Sequence, residues 1–318
     1  MSTYTVRHVT TYAYASPVAF GDHRAIFRPR ESFDQRVIAW DLRVDPVPTD
    51  LNWSEDPSGN LVALARFGRR ARSLRFEFTA TVEQAALDPA SVRIHDHART
   101  APFSYGAEQM PDLSRFVERQ HPDPDHAVDR WVRAVLADVP GSETWPFLVR
   151  LNDAIRRDFA YLRRDDPGIQ VPAETLRLRR GSCRDFAVLM SEAVRALGFA
   201  ARFLSGYLHV PSSATRDAGG NTHAWLQVYV PGAGWIDFDP TSGTVGNRGL
   251  IRVAAVRDPS GAAPLSGSFI GFPSDYGGME VGVDVRLLDR TEGPQPAAEA
   301  APVRPALSRA VVGAGRTG

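Results

Sequence analysis

Between Ser73 and Glu83 apolar and polar side chains alternate, with Leu74, Phe76, Phe78, Ala80 and Val82 against Arg75, Glu77, Thr79, Thr81 and Glu83. A period of two is the pattern of a strand with one buried face. Ile38, Trp40, Leu42 and Val44 repeat it, with Asp41 and Arg43 expected to face out. Asp56-Pro57-Ser58-Gly59-Asn60 supplies the residues of a turn between strands. Short strands punctuated in this way predict a β-sandwich-like domain over residues 1–88.

Residues 89–124 carry Pro, His and Asp without a sustained period and read as a linker. From Asp125 the period becomes helical, and Val128, Trp131, Val132, Val135 and Leu136 form one stripe. Ser142 is expected to open a second helix through Phe147, Leu148, Leu151, Ile155 and Phe159. A third is expected near Pro172, since proline suits the first helical turn. Gly181-Ser182-Cys183-Arg184-Asp185 then leads into an apolar helix that Gly198 should stop. Ser182 followed by Asp185 is close to a capping box. Strands are expected at 199–208, 222–230 and 235–239, with one or two more within 252–289. Residues 125–290 therefore form the second unit, and the chain as a whole is α+β. The tail, residues 291–318, is rich in Pro, Ala and Gly and is expected to be disordered.

Composition narrows the function classes. At 318 residues, with 43% hydrophobic and 23% charged positions, the chain has the balance of a soluble globular protein of one or two domains. Its 37 basic and 37 acidic side chains cancel, so neither nucleic acid nor an anionic membrane is an expected partner. Every one of the 37 basic residues is Arg, which rules out a lysine Schiff base or P-loop lysine. The single cysteine, Cys183, excludes an internal disulfide and a multi-thiolate metal site. The start of the chain lacks a signal-peptide core, and no run of about 18 apolar residues occurs, so a cytoplasmic location is expected. His95-Asp96-His97 has no further ligands at metal spacing and reads as solvated. Neither a metal nor a cofactor is expected.

What remains is chemistry by side chains. At the first helical position, Cys183 would meet unpaired N–H groups and the positive end of the helix dipole, which favour a thiolate. His223 lies on a strand where His223, Trp225, Gln227 and Tyr229 share one face. A carboxylate beside it would fix its tautomer and stabilise an imidazolium. Asp237 and Asp239 have the same parity, so alternation cannot separate them. In the hairpin through Pro231-Gly232-Ala233-Gly234, a four-residue loop sends both aspartates away from His223. A three-residue loop makes Asp239 the diagonal neighbour of His223, and a five-residue loop sets it directly opposite. An odd loop therefore favours Asp239.

Arg180-Gly181-Ser182-Cys183-Arg184-Asp185-Phe186-Ala187, Thr222-His223-Ala224-Trp225 and Gly234-Trp235-Ile236-Asp237-Phe238-Asp239-Pro240-Thr241 together resemble the bacterial transglutaminase-like superfamily. The resemblance extends over residues 3–288, including the N-terminal β-domain. It implies a papain/transglutaminase-like core, a Cys-bearing helix packed on an antiparallel sheet. It also implies a triad of Cys183, His223 and Asp239, with Tyr161 as an auxiliary hydrogen-bond donor near the oxyanion. The Asp-rich loop of calcium-activated relatives is missing, so metal dependence is not implied. Arg179 and Arg180 read as a solvated cluster able to favour a thiolate, Asp185 as a helix-start carboxylate, and Trp225 and Trp235 as core residues flanking the site. The implied activity is cysteine-dependent acyl transfer on a peptide or amide substrate through a thioester, with hydrolysis favoured over transamidation. The competing class is a binding module that keeps the fold without catalysis. Substrate-binding residues and oligomeric state are not readable.

Overall fold

The computed structural model describes residues 1–164, 168–210 and 221–288. The first part contains β1 (Ser2–Phe20), β2 (His23–Ala25), β3 (Gln35–Asp45), β4 (Asp50–Glu55), β5 (Leu61–Arg66) and β6 (Ala71–Gln84). The helices are α1 (Met110–Val117), α2 (Ala127–Ala137), α3 (Thr144–Asp158), α4 (Pro172–Leu178) and α5 (Cys183–Arg195). Two short strands, β7 (Ala160–Tyr161) and β8 (Arg180–Gly181), interleave with them. The remaining strands are β9 (Ala201–Leu208), β10 (Asn221–Val230), β11 (Gly234–Asp239), β12 (Thr244–Val245), β13 (Leu250–Val256), β14 (Leu265–Ser266), β15 (Phe269–Ile270) and β16 (Tyr276–Leu288).

Two antiparallel sheets make the β-sandwich, one ordered β15-β1-β6-β3 with β16 also on β1, the other β14-β2-β5-β4. The alternation in β6 is realised, with Leu74, Phe76, Phe78 and Val82 fully buried against Phe27, Ile26 and Ala63. β3 departs from its expected pattern. A bulge between Val37 and Ala39 leaves Ile38 unmatched and exposed. Trp40, two residues on, pairs with Ala80 at the open edge and packs against Trp53 with ring centroids 4.9 Å apart.

The second sheet system, β12-β11-β10-β9-β13, carries the helices. Every residue of α5 from Asp185 to Arg195 is buried, which makes it the central helix of this half. Its apolar side chains meet Leu226 and Val228 of β10 on one side and Phe147, Leu148 and Leu151 of α3 on the other. Two charges go in with it. Glu192 accepts from Arg195 Nη1 at 2.8 Å, Arg119 Nε at 3.2 Å and the Gln120 N–H at 3.2 Å, so the buried carboxylate is satisfied.

Three boundaries differ from those read from the sequence. Residues 89–124, expected as a linker, hold α1, whose Leu113 and Phe116 bury against Tyr105 and Ala200. α3 starts at Thr144 rather than Ser142, because Gly141 and Ser142 adopt left-handed φ of 63° and 50° that no helix continues. β16 pairs with β1 from Thr3↔Leu288 to Tyr14↔Tyr276, so a unit over residues 125–290 cuts across the first sheet. The tail 291–318 lies outside the described residues.

Candidate active site

The loop before α5 is built around Asp185. Its carboxylate accepts the Ser182 N–H at 2.8 Å, the Ser182 hydroxyl at 2.9 Å, the Gln170 N–H at 2.7 Å and Arg164 Nη1 at 3.0 Å. Gly181 is required beside it, since a Cβ there would sit 2.9 Å from the Asp185 Cβ and 3.2 Å from Phe186. Asp185 thus shapes the helix start, as expected. Ser182 is the extended N-cap and Cys183 the first helical residue.

β10 brings the second group. Val230 pairs with Gly234, so the β10–β11 connection has three residues, one of the odd loops that favour Asp239. His223 Nε2 lies 2.9 Å from Asp239 Oδ2, and both side chains are buried. Asp239 also accepts the Ser242 hydroxyl at 2.5 Å and the Thr241 N–H at 3.0 Å. Asp237 is engaged elsewhere, accepting Trp225 Nε1 at 2.7 Å and Gln227 Nε2 at 3.0 Å. Trp225, fully buried, lies nearly parallel to the His223 ring at 20° with centroids 6.1 Å apart.

Nε2 is taken by Asp239, and Cys183 at the start of α5 is the second group that acts on the ring. The Ala224 N–H acts on the sulfur, in the direction of the thiolate. These contacts set the electrostatics. Burial opposes the thiolate, but the hydrogen bond and charge of His223 and the Ala224 N–H together bring the thiol below its ordinary value. Burial likewise opposes an imidazolium, yet Asp239 by charge and hydrogen bond, with Cys183, raises His223 to about 10. Burial would raise Asp239, and His223, Ser242 and the Thr241 N–H reverse it, holding the carboxyl below its usual range. The three groups favour a thiolate–imidazolium pair braced by a carboxylate.

Tyr161 reaches the same region. β7 pairs in parallel with β8, setting Tyr161 beside Gly181, and the side chain is 56% exposed at the mouth. Burial of its inner part raises its pKa, followed by the charge of Cys183, while Arg163 and Arg184 pull it down. Arg179 stacks its guanidinium 4.9 Å from the Phe159 centroid. Trp235 does not flank the site. It lies opposite Tyr229, at the far end of the hairpin. The rings of His95 and His97 are 5.9 Å apart, and among the described residues no three His, Cys, Asp or Glu gather as a metal site. The sequence reading gave no role to Ser242 or the Ala224 N–H. The first was signalled by the Asp-Pro-Thr-Ser turn, whereas the second depends on how α5 docks on β10.

Residues 4–83 match the bacterial transglutaminase-like N-terminal region, and residues 133–240 match the transglutaminase-like superfamily. The chain belongs to the transglutaminase-like superfamily. An uncharacterized protein of Mycobacterium tuberculosis is 30% identical over 297 residues, covering 89% of this chain and 92% of that one. An uncharacterized protein of Mycobacterium leprae is 28% identical over 270 residues, covering 84% and 92%. A crystal structure from Cytophaga hutchinsonii, described as a "Putative Cysteine Protease", superposes with a TM-score of 0.69 at 21% identity over 92% of this chain and 93% of that one. At that identity the likeness shows a shared fold, a transglutaminase-like core behind an N-terminal β-domain.

Proposed function

We propose that this transglutaminase-like protein is a cysteine-dependent acyl-transfer enzyme that hydrolyses an amide bond of a peptide or γ-glutamyl-type substrate. The observation that carries the reading is the convergence of Cys183 at a helix N-terminus, His223 coupled to it electrostatically, and Asp239 on Nε2 of the ring. In this reading the Cys183 sulfur attacks the substrate carbonyl carbon. The C–N bond breaks as His223 gives its proton to the leaving amine, and a thioester remains on Cys183. Water, deprotonated by His223, then attacks the thioester, releasing the carboxylic acid and returning the thiol. Asp239 keeps Nε2 of His223 protonated and the ring oriented. The Cys183 N–H at the open helix start serves the oxyanion, where one donor is commonly worth about 10²–10³ in rate. Tyr161, at the mouth beside Gly181, supplies a second donor. Water is taken as the acceptor because it is always present at the site's mouth.

The test is turnover of a peptide and γ-glutamyl amide library with and without an added primary amine. Hydrolysis products that vanish in Cys183→Ala support the reading. Amine-linked products at the expense of acid would replace hydrolysis by transamidation, and turnover that persists in Cys183→Ala would end it.

A further inference from the structure

At the end of the β10–β11 hairpin remote from His223, a cleft of about 310 Å³ opens between α1, the hairpin and the Ser58 turn of the sandwich. Tyr229 on its wall lies six steps along the strand from His223, or about 20 Å at the usual rise. It is a different place from the Cys183 site.

Arg202 of β9 forms one wall of this cleft. Its Nε donates to Gln227 Oε1 at 2.8 Å, and Gln227 is itself held by Asp237 at 3.0 Å. Its guanidinium carbon sits 4.3 Å from the centroid of the Trp235 ring. Tethered through Nε and stacked on an indole, the group has a fixed orientation, and no acceptor among the described residues takes its Nη atoms. It forms no ion pair among the described residues either. Asp237, the carboxylate that offsets it, is 3.8 Å from Arg252 and occupied by Trp225 and Gln227. Burial disfavours the Arg202 charge, Arg30 and Arg252 add repulsion, and Asp237 relieves only part of this. A preorganised, undercompensated guanidinium facing a cleft is the arrangement that binds a planar anion through two parallel N–H donors.

The rest of the cleft specifies the anion. Leu113, Phe116 and Trp235 give an apolar wall. Glu108 and Asp112, exposed at the rim on α1 and just before it, can meet an amine, while Arg115 on the same helix adds a second cation to the rim. The volume is at the small end of ligand sites, enough for one or two residues of peptide. We propose that this cleft is a carboxylate-binding site, taking a monocarboxylate on an apolar body of amino-acid size through bidentate contact with Arg202. A free amino acid and the C-terminus of a peptide share that chemistry. The proposal rests on the cleft alone and stands whatever the chemistry at Cys183.

The experiment is calorimetric titration of the full chain with N-acetyl-leucine and N-acetyl-leucinamide, which differ only in the carboxylate. Leucine and Ala-Ala-Leu separate the free amino acid from the peptide terminus. The acid is expected to bind at least about tenfold more tightly than the amide, the worth of a charge-assisted pair. Arg202→Gln should erase that preference while leaving reactivity of Cys183 unchanged. Should that variant misfold, the acid–amide comparison on the unaltered protein still decides. Equal affinity for acid and amide, an acid preference that survives in folded Arg202→Gln, or no binding of any probe up to about 10 mM would overturn the proposal.

Discussion

Replacing His223 with Ala removes its charge and hydrogen bonding, which with the Ala224 N–H lower the Cys183 thiol, and leaves the burial that raises it. The thiol must therefore titrate at higher pH in the variant. The size of the effect follows from ionisation. A thiol of ordinary pKa, about 8.5, is about 1% thiolate at pH 6.5, so a site ionised at that pH offers up to about 100-fold more nucleophile. A less basic thiolate is also less nucleophilic, with a Brønsted slope of about 0.4–0.5, which returns part of the gain. The net expectation is alkylation by iodoacetamide about fivefold slower at pH 6.5 in His223→Ala, with the deficit closing as pH rises toward 10. Partial burial of Cys183 slows reagent access in both proteins and cancels in the ratio. Intact-mass time courses across pH measure it. Superimposable pH profiles for the two proteins would refute the argument that His223 controls the thiol.

Among the site variants, Cys183→Ser should lose turnover altogether, while Asp239→Asn should retain a measurable fraction because the base survives in a mis-set tautomer, a ranking read from kcat/KM. Asp237→Ala should instead act on stability, by about 2–5 kcal/mol in chemical denaturation, because it strands the buried Trp225 N–H and the Gln227 amide; a cost below about 0.5 kcal/mol would contradict it. Asp239 has a lowered folded pKa, so its contribution to stability is complete above the unfolded carboxylate value of about 3.9 and is lost as pH falls through the folded value. Asp239→Asn should accordingly flatten the acid limb of Tm against pH, and an unchanged slope there would show that the carboxylate is not stabilised as described.

The site was legible where its determinants are local. Ser182 and Asp185 are three residues apart and cap one helix, and strand parity sets His223 and Asp239 relative to one short loop. Parity left Asp237 and Asp239 tied, and only the three-residue connection, with Trp225 claiming Asp237, separated them. The pairing of β16 with β1 joins residues more than 260 positions apart, and no local period encodes such a register. α1 was hidden for a related reason. Its eight residues are too few to display a convincing stripe, and the helix is held by Tyr105 and Ala200 from elsewhere in the chain. Ile38 misled because a bulge inserts one residue, which a strict alternation cannot anticipate.

The central claim is that Cys183 carries the acyl group. It is tested most directly by mixing the enzyme with p-nitrophenyl acetate, following the release of p-nitrophenol, and mapping the acetyl adduct by peptide mass spectrometry. The absence of lysine removes the usual background of ε-amino acylation, leaving the N-terminal amine and hydroxyls as competitors. The account predicts a burst stoichiometric with enzyme, an adduct on the peptide containing Cys183, and loss of both in Cys183→Ala. A burst of undiminished size in Cys183→Ala, or an adduct confined to other residues, would contradict it.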